Sequence, residues 1–508
     1  MTRLEHGAIL QRTVPQHRVC GLWTFQETEC GPRKLDGERT SEVSTPKGST
    51  VDNSGRSGKP IRLNAFVQNA VTHQSSGLWR HPDDRGRRYT DLEHWVELAR
   101  TIDEADFDSL FIADVLGMSD VYAGSRDAAL ANGVQVPQGD PMMAVSAMAA
   151  ATRGLGFGIT ASVSYEHPFS LARRFTTLDH LTKGRVGWNV VTGYLTSAAE
   201  NLGLTRLPHD ERYALAEEHL EVCYKLWEGS WEDDAVVDDP ERGLFTDPSK
   251  VHDIDHEGTY FTVPGAFLCE PSPQRTPTLF QAGASSSGLS FAGRHAEAVF
   301  VSGPSTGVLA RNIAKLREQI EAAGRDPHSV VVYAQLTPIV AETDALAEAK
   351  YRSYLDLASR EAALSLFGGW TGLDLAGVPS DQPLRYAETD AGRSALAVFT
   401  SDDPDRDWTT ADIAEHLAVG GRGPVAVGGP ERVADEMERW IDETGADGFN
   451  LAFAVTPGTF ADVAEYVVPE LRRRGRAVAP DRGPTLRERL GGTGPRLPKD
   501  HVGSTYHR

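Results

Sequence analysis

The sequence predicts a closed (β/α)8 barrel, and three observations carry that expectation. Eight short apolar runs, starting near residues 61, 109, 156, 185, 278, 298, 330 and 448, alternate with helical patterns, and eight is the number such a barrel requires. Residues 153–194 hold a strand pattern, a crossover helix and a second strand pattern, the βαβ unit that makes neighbouring strands parallel. Hydrogen-bonding residues follow these runs at their carboxyl ends, where ligands sit in a parallel α/β sheet.

In chain order, residues 1–58 are rich in Thr, Ser, Gly, Pro and charge with no sustained period, and read as a disordered or loosely attached extension. The barrel is expected over 59–492, with 493–508 as a C-terminal tail. The run 61–67 is the first strand, and apolar residues at helical spacing follow over 90–105. Strand 109–113 ends at Asp114. An excursion over 115–140 contains Gly, Asn and Pro, and an Ala-rich helix is expected over 141–152. Strand 155–159 leads through Thr160 and Ser162 to a helix over 168–181, and strand 185–191 carries Asn189. A helix over 210–227 starts after Pro208, with His209 just outside it and acidic residues at its amino end, where the helix dipole favours them. The acidic stretch 231–262 reads as an insertion. Strand 278–281 runs into Ala282-Gly283-Ala284-Ser285-Ser286-Ser287-Gly288 and a helix over 289–296. That turn offers free N–H groups to a phosphate, or is an ordinary serine N-cap. Strand 298–301, helix 308–323, strand 330–336 and helix 344–357 continue the alternation. Residues 358–420 read as a second, less regular insertion, before helix 430–444, strand 448–453 and helix 459–473.

Composition narrows the function. The chain has 508 residues, 40% of them hydrophobic, and a net charge of −21, which argues against a nucleic-acid partner because no surplus exists to build a basic face. Its four cysteines, Cys20, Cys30, Cys223 and Cys269, form no CxxC and no metal spacing, and a reducing cytoplasm is the simplest home. No apolar run is long enough to span a membrane, and no signal-peptide core is evident.

The dinucleotide fingerprint is missing: Gly154, Gly156 and Gly158 have the wrong spacing and precede a strand instead of following one. No P-loop and no GxSxG elbow occurs. The polar residues at strand ends are spread over many units: Asn69, His73, Asp114, Thr160, Ser162, Tyr165, His167, Asn189, His209, Tyr213 and Ser285. Few charges and several neutral donors suit a large heteroaromatic cofactor with a phosphate tail. The alternative is a mononuclear metal hydrolase using His73, Asp114, His167 and His209, which lacks the HxH pair usual after the first strand.

From about residue 60 to 492 the chain resembles the luciferase-like flavin monooxygenases, in the branch of nitrilotriacetate monooxygenase component A, dibenzothiophene-sulfone monooxygenase and the larger subunit of pristinamycin IIA synthase. The resembling stretches are LNAFVQNAVTHQSSGLWRHPDD, FDSLFIADVLG, TASVSYEHPFSLARRFTTLDHLTKGRVGWNVVT, HDERYALAEEHLEVCYKLWEGSW, FLCEPSPQRTPTLFQAGASSSG, GADGFNLAF and VVPELRRRG. The resemblance implies a TIM barrel with insertions that binds reduced FMN (FMNH2), supplied by a separate NAD(P)H:FMN reductase. By similarity Asp114, Thr160, Asn189, His209, Tyr213 and Ser285 are flavin-contacting positions. His209 and Tyr213, one helical turn apart, would hold the phosphate with Ser285, while Asp114 and Thr160 would lie nearer the isoalloxazine. Where Ser286 stands, the family often has an acidic residue or Pro.

The implied reaction is oxygenation of a small organic substrate by O2 through a flavin peroxide: C–N cleavage, C–S cleavage or natural-product oxidation. His73 and His167 are the candidates to hydrogen-bond the peroxide or act as acid and base, and Trp79 a candidate pocket wall. The alternatives are a deazaflavin (F420)-dependent oxidoreductase and a non-catalytic flavin-binding accessory subunit. A homo-oligomer is the expectation from the resemblance.

Overall fold

The apolar runs become strands because a parallel strand is buried on both faces and reads as an unbroken apolar stretch, as in Ser109–Ala113 (SLFIA) and Ala298–Val301 (AVFV). The computed structural model describes residues 58–508 except 284, 386–392, 405 and 480–481. The expected N-terminal extension, but for Gly58, lies outside the described residues.

Eight parallel strands close on themselves: β1 (Arg62–Gln68), β2 (Ser109–Ala113), β3 (Gly156–Ser162), β4 (Val186–Val191), β5 (Thr278–Gln281), β6 (Ala298–Val301), β7 (Val331–Val340) and β8 (Gly448–Leu451). Each pairs with the next in parallel register, and the ring shuts where β8 meets β1, with Arg62 opposite Gly448 and Asn64 opposite Asn450. At that seam Asn64 Nδ2 donates to Asn450 Oδ1 at 2.6 Å, so two buried amides satisfy each other. The barrel interior is packed with rings: Phe111 lies 4.2 Å from Phe300 and 5.1 Å from Phe66, and Phe280 stacks on Phe300 at 5.4 Å between centroids.

The helices include α1 (Leu92–Glu104), α2 (Val145–Ala150), α3 (Pro168–Thr182), α4 (His209–Tyr224), α5 (Ser286–His295), α6 (Thr306–Ala322), α7 (Asp344–Leu355), α8 (Arg360–Thr371) and α9 (Pro430–Thr444). Two starts differ from expectation: His209 is the first residue of α4, not a residue outside it, and α5 begins at Ser286 with Ser285 as its cap. The helix expected over 141–152 is confined to α2. The acidic insertion forms two small antiparallel hairpins, Val236–Asp239 with Leu244–Thr246 and His256–Glu257 with Thr262–Val263.

The two excursions pack together. Ala129 and Val134 from the first share a separate apolar core with Phe367, Trp370, Phe399 and Trp408 from the second, and Tyr194 from the β4 end packs against it. A further strand, Val425–Gly428, absent from the sequence reading, pairs with the outer half of β7, Thr337 opposite Val425. At the other end of the barrel the final residues cross the amino ends of β5 and β6. Buried Arg487 holds Glu297 at 2.5 Å and donates to Thr276 O at 2.9 Å, and His501, fully buried, lies 2.8 Å from His295 O.

Candidate functional site

At the carboxyl ends of the strands the structure holds two adjacent cavities. The first, about 330 Å3, is lined by Asp114 after β2, Thr160 in β3, Asp140, Met142, Tyr165 and Leu195, among others. The second, about 230 Å3, is lined by His209, Arg212 and Tyr213 of α4, by Gln281, Gly283 and Ser285 after β5, and by Arg422. Val191, Gly193 and Tyr194 belong to both, so the end of β4 is their common wall.

The two differ in charge. The first carries Asp114, Asp140 and Glu166, with Arg174 paired to Glu166. Burial, then the nearby charge of Asp140, pushes the Asp114 carboxyl up to about 7, against the opposing hydrogen bond from Val115 N–H. The second cavity is lined by Arg212, Arg422 and His209, with no Asp or Glu among its described lining residues.

The second cavity is built around the amino end of α5. Ser285 Oγ accepts from Gly288 N at 3.1 Å, the N-cap that serine supplies most readily, and the Tyr213 phenol hydrogen-bonds Ser285 while burial raises its pKa. Gln281 Oε1 accepts from Gly283 N at 2.7 Å. A Cβ added at Gly283 would stand 2.3 Å from Gln281 Nε2 and 2.8 Å from Tyr213 OH, so a larger residue here must displace both side chains. His209 and Tyr213 have ring centroids 5.3 Å apart, and His209 Nδ1 lies 2.9 Å from Asp210 Oδ1. A positive helix end, a phenol, a histidine and two arginines form a donor set for an oxyanion.

Of the eight residues singled out from the sequence, Asp114 and Thr160 line the first cavity, and His209, Tyr213 and Ser285 line the second. Asn189 stands behind Thr160, donating to its Oγ1 at 3.0 Å, while its own Oδ1 is buried without a partner. The other two lie elsewhere. His73 is buried against Phe66, its ring 4.3 Å away, and burial holds its pKa down at about 3. His167 is exposed and caps α3, its Nδ1 accepting from Phe169 N at 3.3 Å, and it lines neither cavity. Trp79 donates to Asn132 O at 3.0 Å beneath the first excursion, also away from both. The four groups of the metal-hydrolase alternative therefore do not converge, and no cluster of three or more His, Cys, Asp or Glu suited to a metal exists among the described residues. Among the same residues no helix is long and apolar enough to cross a membrane. Sequence reading missed Arg212, Gln281, Tyr194 and Arg422. Arg212 was one residue from Tyr213, and Gly420-Gly421 before Arg422 was a turn signal.

Comparison with known proteins bears on fold and family. The profile described as Luciferase-like monooxygenase matches residues 66–448. The chain is 52% identical over 450 residues to a dimethyl-sulfide monooxygenase of Hyphomicrobium sulfonivorans, covering 88% of this chain and 94% of that one. It is 46% identical over 452 residues to a long-chain alkane monooxygenase of Geobacillus thermodenitrificans, covering 88% and 98%. A riboflavin lyase solved with a modified FMN and riboflavin superposes with a TM-score of 0.82 at 38% identity, covering 89% of this chain and all of that one. The branch indicated by the motifs is represented too, by dibenzothiophene-sulfone and nitrilotriacetate monooxygenases. The barrel, the profile over most of its length and these relatives agree: the chain belongs to the luciferase-like monooxygenase family.

Proposed function

We propose that this chain is the oxygenase of a two-component system, taking reduced FMN from a separate NAD(P)H:FMN reductase and using O2 to oxygenate a small organic substrate. The observation that carries the reading is the pair of adjacent cavities that share the end of β4 as a wall, one a cradle of oxyanion donors at the amino end of α5 and the other a partly apolar chamber. Relatives named as monooxygenases of dimethyl sulfide and of long-chain alkanes support it, as does a relative solved with a modified FMN.

The residues present fit that cofactor. Gly283 leaves the space that a side chain would fill, and Ser285, Tyr213, His209 and Arg212 would hold the phosphate. Thr160, steadied by Asn189, and Asp114 would face the isoalloxazine. Reduced FMN, when bound, supplies the electrons that split O2 between substrate and water. The chain's own work is to bind, to orient and to exclude water. The apolar core shared by the two excursions covers the barrel mouth, and the chamber wall of Met142, Leu195 and Ala198 disfavours bulk water. His73, buried against Phe66 and held neutral by burial, lies outside both cavities and is not a proton source near neutral pH. His167 keeps only its capping role.

Anaerobic titration with reduced FMN and separately with oxidised FMN, followed by an oxygen pulse read by flavin absorbance, tests this. Preferential binding of the reduced form, followed by reoxidation that differs from that of free flavin, is expected. A chain that binds no flavin in either state refutes the reading.

A further inference from the structure

A third cavity, about 70 Å3, opens between the second cavity and the ring-packed barrel interior, lined by Phe66, Phe111, Phe300, Gln335 and Asn450 among others. It shares Ala282 and Arg422 with the second. Arg422 is thus the one charged side chain among the described residues lining the third cavity, and it reaches both.

The chain goes to some length to place it. Gly420 and Gly421 have φ of +85° and +77°, a conformation that residues with a side chain rarely adopt, and they turn the backbone into the barrel mouth just before Arg422. The turn is pinned from β7 and from the first loop: Gln335 Nε2 donates to Gly420 O at 2.7 Å, and Gly420 N donates to Ser75 Oγ at 2.9 Å. A Cβ at Gly421 would stand 1.9 Å from Gln74 Oε1, so the close approach itself depends on glycine.

What the guanidinium meets there does not balance its charge. Its carbon lies 5.0 Å from the centre of the Trp370 ring, and its Nε is buried without a hydrogen-bond partner. Neither cavity it lines includes an Asp or Glu among the described residues. A ring face compensates only part of the cost of taking a cation out of water, and a buried charge is ordinarily paired.

We propose that Arg422 is the receptor for an oxyanion bound where the second and third cavities meet. The anion is a phosphate, sulfonate or carboxylate group, and it has two possible sources: the phosphate tail of the cofactor, or an acid group carried by the substrate. The proposal does not require the flavin reading to be correct, since a half-buried cation whose Nε is buried without a partner is stabilised by a counter-charge in either case.

The test uses the full chain and the variants R422Q and R422K, with inorganic sulfate and phosphate as probes and chloride at matched ionic strength as control. Wild type without flavin is expected to gain thermal stability in sulfate or phosphate beyond the general salting effect, and R422Q is expected to show the general effect only. R422K, with the charge but not the planar fork, should fall between them. Anaerobic titration then separates the sources. If R422Q binds reduced FMN about tenfold or more weakly but reduced riboflavin unchanged, the anion is the cofactor phosphate. If both flavins bind unchanged, while sulfate still perturbs the bound flavin's spectrum in wild type only, the anion belongs to the substrate. An Arg422-dependent sulfate effect in a chain that binds no flavin supports the proposal and refutes the flavin reading. If R422Q responds to sulfate and phosphate as wild type does and distinguishes the two flavins equally well, Arg422 is a packing partner of Trp370 and the proposal is overturned. Failure of R422Q to fold leaves R422K to decide on the same two readouts.

Discussion

Replacing Asp114 by Asn should make the flavin-free protein more stable as pH rises, by an amount that the surroundings of Asp114 set. Its carboxyl is raised from an ordinary value of 3.8 to about 7, chiefly by burial and then by Asp140. A displacement of about three pH units corresponds to about 4 kcal/mol between the two protonation states. The sign follows from proton counting. Between pH 4 and 7 the folded chain retains a proton that the unfolded chain has released, so stability falls as pH rises through that window, with the full loss reached above about pH 7. Asn keeps the size of the side chain and an acceptor for Val115 N–H but has no proton to lose. For a folded unit of roughly 450 residues, unfolding entropy near 2.1 cal/mol/K per residue converts about 4 kcal/mol into about 4 °C of Tm. This is an upper limit, because residual solvent contact at Asp114 reduces the penalty. Scanning calorimetry of wild type and D114N from pH 5 to 8.5 checks it: the difference in Tm should be small at pH 5 and widen by a few degrees at pH 8.5. A difference that does not change with pH refutes the reasoning, because it would mean that Asp114 ionises equally easily in the folded and unfolded chain.

Three further outcomes follow from the geometry. In G283A the new methyl group must displace Gln281 Nε2 and Tyr213 OH, so affinity for reduced FMN should fall about tenfold or more in an anaerobic titration, and unchanged affinity would remove the cradle from the site. R487A leaves Glu297 buried without its cation and should cost about 3–5 kcal/mol in a denaturant melt while the folded fraction binds flavin normally; a loss below about 1 kcal/mol would show the pair to be dispensable. H167A should lose at most about 1 kcal/mol as a helix cap and keep its turnover, whereas a hundredfold drop in turnover would return His167 to the chemistry.

Much of the fold could be read from the residues alone, for a reason visible in the strands themselves. β2, β5 and β6 coincide with the apolar runs because buried parallel strands have no polar face to interrupt them. The same property hid α8: residues 362–371 are all buried, so no polar stripe marks a helical period. Strand Val425–Gly428 escaped because it is only half-buried and stands between Pro424 and Gly429-Pro430, a setting that reads as a turn. Around the site, residues at strand ends and in the α4 motif were legible, since position along a βα unit decides where they point. Arg422 and Tyr194 were not, because the packing of the two excursions brings them to the mouth. His167 shows the limit of spacing arguments, since it follows β3 closely in sequence yet is turned outward by its capping bond to Phe169.

The outer half of β7 has a consequence for how such chains diversify. β7 spans ten residues, and its last four pair with Val425–Gly428 outside the ring. Those two segments bracket everything between residues 341 and 424, so the stretch that brings Trp370 and Arg422 to the second cavity is tied down at both ends by one small clasp. The cylinder's own closure, β8 against β7 and β1, is completed without it. Inside the clasp the stretch is not free of the staves, because Gly420 is held by Gln335 of β7 and by Ser75, so a change of length is best absorbed before residue 420. Chimeras spliced at residues 340 and 420 are the natural way to carry a new appetite onto an old frame.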